Sequence, residues 1–169
     1  MRWFSFAILA VIALVLQTTV VPRMEIQLIR PDLVFILAVH YALWGPWPDA
    51  AIAAWILGFI ASLQSADPVG IQAFAFGLAA WCILRIRQVL FRDHAMTQLL
   101  LTLCFMFAIQ LIIGLYRRWA MAPAEGGFVW PALMTAVYTG ACAPYLHWVL
   151  IRLSWLTGLR TSRGLLSPQ

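Results

Sequence analysis

Apolar residues in this chain run in blocks too long and too unbroken for the one-sided stripe of a surface helix. That single feature excludes most folds. Only 10% of the residues are charged, against about 25% in globular domains, and 64% are hydrophobic. The class that fits is all-α integral membrane, a six-helix transmembrane bundle in one domain over residues 1–169. Its spans are expected at about 3–21, 32–44, 50–63, 69–84, 95–116 and 129–151. The N-terminal run after Arg2 lacks a small-x-small cleavage site and is read as an uncleaved first span.

Pro31 to Gly70 holds the densest punctuation. Two apolar segments, each of only a dozen or so strongly apolar residues, meet at Gly45-Pro46-Trp47-Pro48. That length suits re-entrant or buried helices as readily as full crossings. Pro31 fits a first helical position, where a missing N–H loses no intrahelical bond. Asp32 would then lie in the first turn, where the positive helix end favours a carboxylate. Asp49 precedes the third span, and Asp67-Pro68 reads as an N-cap with proline at the first helical position. Pro144, inside span six, is expected to kink it.

All eleven basic residues are arginine and sit near block ends. With an inside N-terminus and six crossings, Arg2, Arg85, Arg87, Arg92, Arg152, Arg160 and Arg163 face inward. Arg23, Arg30, Arg117 and Arg118 face outward. The excess of inside arginine places both termini in the cytoplasm. A hairpin over 31–66 that crosses twice or not at all leaves this parity unchanged. The basic balance is membrane-anchoring charge and not a nucleic-acid footprint. Arg85, Arg87 and Arg92 form the densest inner cluster, suited to lipid headgroups or to docking an acidic cytosolic partner.

Ionisable groups at membrane depth are costly and usually functional. The mid-span polar residues are His40, Gln98, Thr102, Gln110, Thr135, Thr139 and His147. No HExxH, GxSxG or paired carboxylate occurs, so no catalytic, cofactor or metal site is expected. His40 and His147 stand on different spans without an acidic partner, and each is expected to hydrogen-bond a neighbouring helix. Cys82, Cys104 and Cys142 read as small buried hydrophobes. Packing is more explicit. Ala50, Ala54, Gly58, Ser62 and Ala66 recur every fourth residue, a stripe that lets another backbone approach closely. Ordinary packing inside the bundle is the first reading of this stripe, and a homo-oligomer or partner interface is the alternative.

The order of these pieces resembles the rod shape-determining protein MreD family. The resemblance rests on Leu16-Gln17, Pro31-Asp32-Leu33, Gly58-Phe59, Ser65-Ala66-Asp67-Pro68-Val69-Gly70, Ala73-Phe74, Arg85, Arg87, Phe91 and Gln98. It covers roughly residues 9 to 110. Ser62 departs from it, where family members often carry an aspartate. The resemblance implies a non-enzymatic scaffold of the cell-elongation machinery in the bacterial inner membrane, acting in peptidoglycan synthesis. Its implied partners are membrane lipid, an MreC-like protein and other elongation-complex proteins. It also implies a bundle similar to the substrate-binding subunits of energy-coupling-factor transporters. The alternative is therefore a small-molecule-binding membrane subunit of a vitamin-type transporter.

Overall fold

The computed structural model describes residues 3–25, 29–65, 68, 70–87, 95–120 and 127–152. Six α-helices and a short 3-10 turn make up the described residues, with no strand among them. The helices are α1 (Trp3–Thr19), α2 (Leu33–Trp44), α3 (Trp47–Gln64), α4 (Ile71–Ile86), α5 (Ala95–Ala120) and α6 (Val129–Arg152); the 3-10 turn, Val21–Met24, follows α1. Among the described residues, α5 is the one helix long and apolar enough by itself to cross a membrane, over Met96–Ala120.

The bundle is built around α2. Every residue from Val34 to Leu43 is buried, so this helix has no outward face. A helix apolar all round belongs in the interior. The surrounding helices show the opposite pattern, burying one side and exposing large apolar residues on the other. On α3, Ala53, Ala54 and Leu57 are buried while Trp55, Phe59 and Leu63 are exposed. On α4, Ala75 and Phe76 are buried while Phe74 and Trp81 are exposed. In water such an exterior would drive aggregation; in lipid it is the expected surface.

Close backbone approach sets the α3–α4 and α5–α6 seams. A Cβ built on Gly58 would lie 2.7 Å from both Ala73 Cα and the Gln72 carbonyl oxygen on α4. Ala50, Ala54 and Ser62, on the same face of α3, are also buried. The described part of the small-residue stripe is thus occupied within one bundle; Ala66 lies outside the described residues. On α6, a Cβ at Gly140 would meet Leu103 Cβ of α5 at 3.0 Å. Pro144 lies inside α6, where it leaves the Gly140 carbonyl without its i+4 N–H.

Helix starts differ from the expectations in three places. Asp32 is the N-cap of α2, not a first-turn residue, and Pro31 precedes the cap. The carboxylate accepts from Phe35 N at 2.9 Å, and the helix begins at Leu33, two residues later than proline alone would suggest. Asp49 lies within the first turn of α3, because Pro46 and Pro48 start that helix at Trp47. Pro68 is not at a first helical position. Gly70, at φ 109°, is the N-cap of α4, and a positive φ that favours glycine ends the turn there. Asp67, the expected cap, lies outside the described residues, as does Arg92.

Candidate functional site

At about 1.5 Å per residue the twelve residues of α2 rise roughly 18 Å, well short of a hydrocarbon core of about 30 Å. Both ends of this enclosed helix therefore bring unpaired backbone groups into the protein's interior. Without water to satisfy them, each such group is costly. The chain meets that cost with side chains from neighbouring helices.

At the N-terminal end three elements contribute. Thr139 of α6 accepts from Asp32 N through its Oγ1 at 3.1 Å. Gln17 of α1 accepts from Leu33 N at 2.8 Å through Oε1, while its Nε2 donates to the Pro31 carbonyl at 3.2 Å. Asp32 itself satisfies Phe35 N. The first N–H groups of α2 are thus held by α1, α6 and its own cap. At the other end Gly45 N donates to the Tyr41 carbonyl at 2.7 Å and closes the helix. The Arg87 guanidinium of α4 reaches back to donate to the Ala42 carbonyl at 3.1 Å and the Gly45 carbonyl at 2.5 Å. A cation at a helix C-terminus also opposes its negative dipole end.

Midway along α2, His40 faces His147 of α6. Their Nδ1 atoms are 3.1 Å apart and the rings stack at 5.3 Å with 26° between planes. One Nδ1 must carry the hydrogen and the other accept it; two protonated rings would bring two donors face to face. Both side chains are buried. Tyr41 Oη, Trp44 Nε1 and His147 Nε2 are buried without a partner among the described residues. Among those residues no cluster of three or more His, Cys, Asp or Glu side chains could hold a metal ion. Replacing His40 by leucine should strand His147 Nδ1 and cost about 1–3 kcal/mol. The double His40→Leu/His147→Leu variant should cost less than the two single changes summed, by at least about 0.5 kcal/mol. Additive losses in detergent-solubilised melting would show that the pair does not couple.

The remaining expected site residues fall in several places. Pro31 is buried beside the Gln17 tie. Gln98 of α5 is buried, and its backbone carbonyl accepts from Thr102 Oγ1 at 2.7 Å. Ser62 is buried and donates to the Phe59 carbonyl within its own helix at 2.7 Å, where an aspartate would need a partner from elsewhere. Pro68 is exposed. Arg85 and Arg87 diverge: Arg85 is exposed with its guanidinium 5.3 Å from the Trp81 ring centre, whereas Arg87 turns inward.

Sequence reasoning gave no special weight to Gln17 or Thr139 as ties to α2. It also passed over a cavity of about 360 Å³ where α1 and α3 end and α2 and α4 begin. Gln17, Arg30, Asp32, Gln64, Ser65 and Gln72 contribute polar groups to its lining. The available signal was the placement of glutamines near segment ends.

An enclosed apolar helix tied at both ends by side chains from its neighbours, inside an apolar-surfaced bundle, defines a membrane-associated helical protein. The family model described as rod shape-determining protein MreD matches residues 1–158, and the chain belongs to that family. It is a non-enzymatic family of inner-membrane proteins that determine cell shape with MreC and the elongation complex. No curated protein and no solved structure matches the chain.

Proposed function

We infer that the protein is a multi-pass scaffold of the cell-elongation machinery in the bacterial inner membrane, with both termini in the cytoplasm. The observation that carries this reading is the use of the interior polar groups. Gln17, Thr139, Arg87 and the His40–His147 pair all join other helices to α2. Such ties stiffen a bundle and leave its outer surface to lipid and protein contacts. In this arrangement the α1–α2 and α3–α4 connections lie on the outer side with Arg30, and Arg85 lies on the inner side. An MreC-like protein is the expected outer partner, and the exposed Arg85 is offered to acidic cytosolic components.

A vitamin-type transporter subunit would call for a closed polar cavity at the outer face. The cavity seen here is half open at the bundle end, which favours the scaffold. Depleting the protein in its native bacterium should turn rods round, and affinity capture from solubilised membranes should recover an MreC-like protein. Rods of normal shape after complete depletion would sink the scaffold reading.

A further inference from the structure

One side of α6 carries a continuous exposed stripe, Val137, Ala141, Tyr145, Trp148 and Arg152. Steps of three and four residues keep these on one face of a helix. That face is turned away from Ala136, Thr139, Ala143 and His147, which are buried. The last three members of the stripe form a ladder. The Tyr145 and Trp148 rings stack at 6.3 Å with 28° between planes. The Arg152 guanidinium carbon then lies 5.4 Å from the Trp148 ring centre.

This contact prepares the arginine for an anion. The negative face of an indole attracts the cation, and stacking occupies only one flat side of the guanidinium. Its five N–H donors point outward in the plane, a fork that matches the oxygens of a phosphate. Among the described residues no carboxylate forms an ion pair with Arg152. Arg152 is also the last residue of α6, where the negative helix end would repel a phosphate. Leaning back onto Trp148, one turn earlier, carries the guanidinium away from those carbonyls. The same spacing recurs at the end of α4, where the Arg85 guanidinium carbon lies 5.3 Å from the Trp81 ring centre. Arg118, in the last turn of α5, is exposed and stacks on no ring among the described residues.

The rest of the stripe selects the occupant. Beyond Tyr145 it continues through Ala141 and Val137, without a polar side chain. One leaflet of a hydrocarbon core of about 30 Å is about 15 Å deep. Arg152 and Ala141 are separated by about 16 Å along the helix axis at about 1.5 Å per residue. A free anion would leave this apolar stretch uncovered, whereas an amphiphile with an anionic head and a tail one leaflet long covers all of it. We propose that Tyr145, Trp148 and Arg152 form a binding site for an anionic phospholipid. Its phosphate sits on Arg152 and an acyl chain runs along Trp148, Tyr145 and Ala141. The proposal rests on the reading of α6 as a membrane-spanning helix and not on the scaffold role, which cell shape and partner capture test separately.

The test places full-length protein in phosphatidylcholine nanodiscs with traces of phosphatidylglycerol or phosphatidylcholine carrying a photoreactive diazirine in one acyl chain. After irradiation the labelled peptides are mapped. Phosphatidylglycerol should label residues 137–152 at least threefold more than phosphatidylcholine does. Arg152→Gln should abolish that preference, and Arg118→Gln should leave it unchanged. Trp148→Leu should at least halve it although the charge remains. Should Trp148→Leu lower the melting temperature, Arg152→Lys takes its place, keeping the charge and losing the planar fork. Equal labelling by the two lipids keeps α6 in the membrane and overturns the proposal. No labelling of α6 by either lipid removes the spanning reading and the proposal with it. An undiminished preference in Arg152→Gln, or in the variant that keeps the charge, overturns the ladder as the site. A preference erased by inorganic phosphate, but not by chloride at equal ionic strength, would assign the site to a free anion and overturn it as well.

Discussion

Replacing Arg87 by methionine is expected to destabilise the folded bundle by about 2–4 kcal/mol, and replacing Arg85 by methionine by less than about 0.5 kcal/mol. The two arginines are two residues apart at the end of α4 and look equivalent on topology alone. Arg87 donates to the Ala42 and Gly45 carbonyls at the end of an enclosed helix. Its loss leaves two acceptors where water does not reach, and each buried unsatisfied group costs about 1–3 kcal/mol. The methionine keeps most of the apolar volume, so the loss reports the hydrogen bonds and not a cavity. Arg87→Lys should recover part of the loss, because an ammonium carries charge but lacks the planar fork that serves two carbonyls together. Melting and denaturant titration of purified protein in detergent would measure this, and equal effects at both arginines would refute it. If Arg85 docks a cytosolic partner, Arg85→Met should lower partner capture while melting stays put.

Gly58→Leu is expected to cost more than about 3 kcal/mol and to reduce folded protein in membranes, and Gly58→Ala about 1–3 kcal/mol. The argument is steric. Even the first carbon of a side chain would sit 2.7 Å from the α4 backbone at Ala73 Cα and the Gln72 carbonyl, where no rotamer can relieve the contact. The whole α3–α4 seam must then open, displacing Leu57 and Phe76 from the core. Gly77→Ala should be milder, because its added Cβ meets the Trp55 ring at 2.6 Å and that ring is on an exposed side chain able to move. Expression level and melting of the three variants give the ranking. A Gly58→Leu protein with unchanged yield and melting would refute the close approach as a determinant of stability.

Much of this was legible in the chain. Hydropathy marked the helical segments because a buried or lipid-facing helix leaves an apolar block whatever it packs against. The Pro31–Gly70 punctuation located the short helix, and the four-residue spacing of Ala50, Ala54, Gly58 and Ser62 showed that one face of α3 would take a close neighbour. Cap positions were less legible. Proline and aspartate in tandem allow either residue to start a helix, and the choice at Asp32 depends on which side chain reaches which N–H. At Gly70 the cap is set by a positive φ that the neighbouring Asp67-Pro68 gives no sign of.

The sequence by itself determined a helical, membrane-associated class, the approximate segments, and the lack of any catalytic motif. Those properties follow from local composition and periodicity, which each segment carries alone. Only the tertiary structure decided that α2 is the enclosed helix, that Arg87 and not Arg85 turns inward, and that His40 meets His147 across 107 positions of chain. The physical reason is that a polar side chain in an apolar block says only that a partner is needed. Which partner it finds is settled when helices far apart in sequence pack side by side.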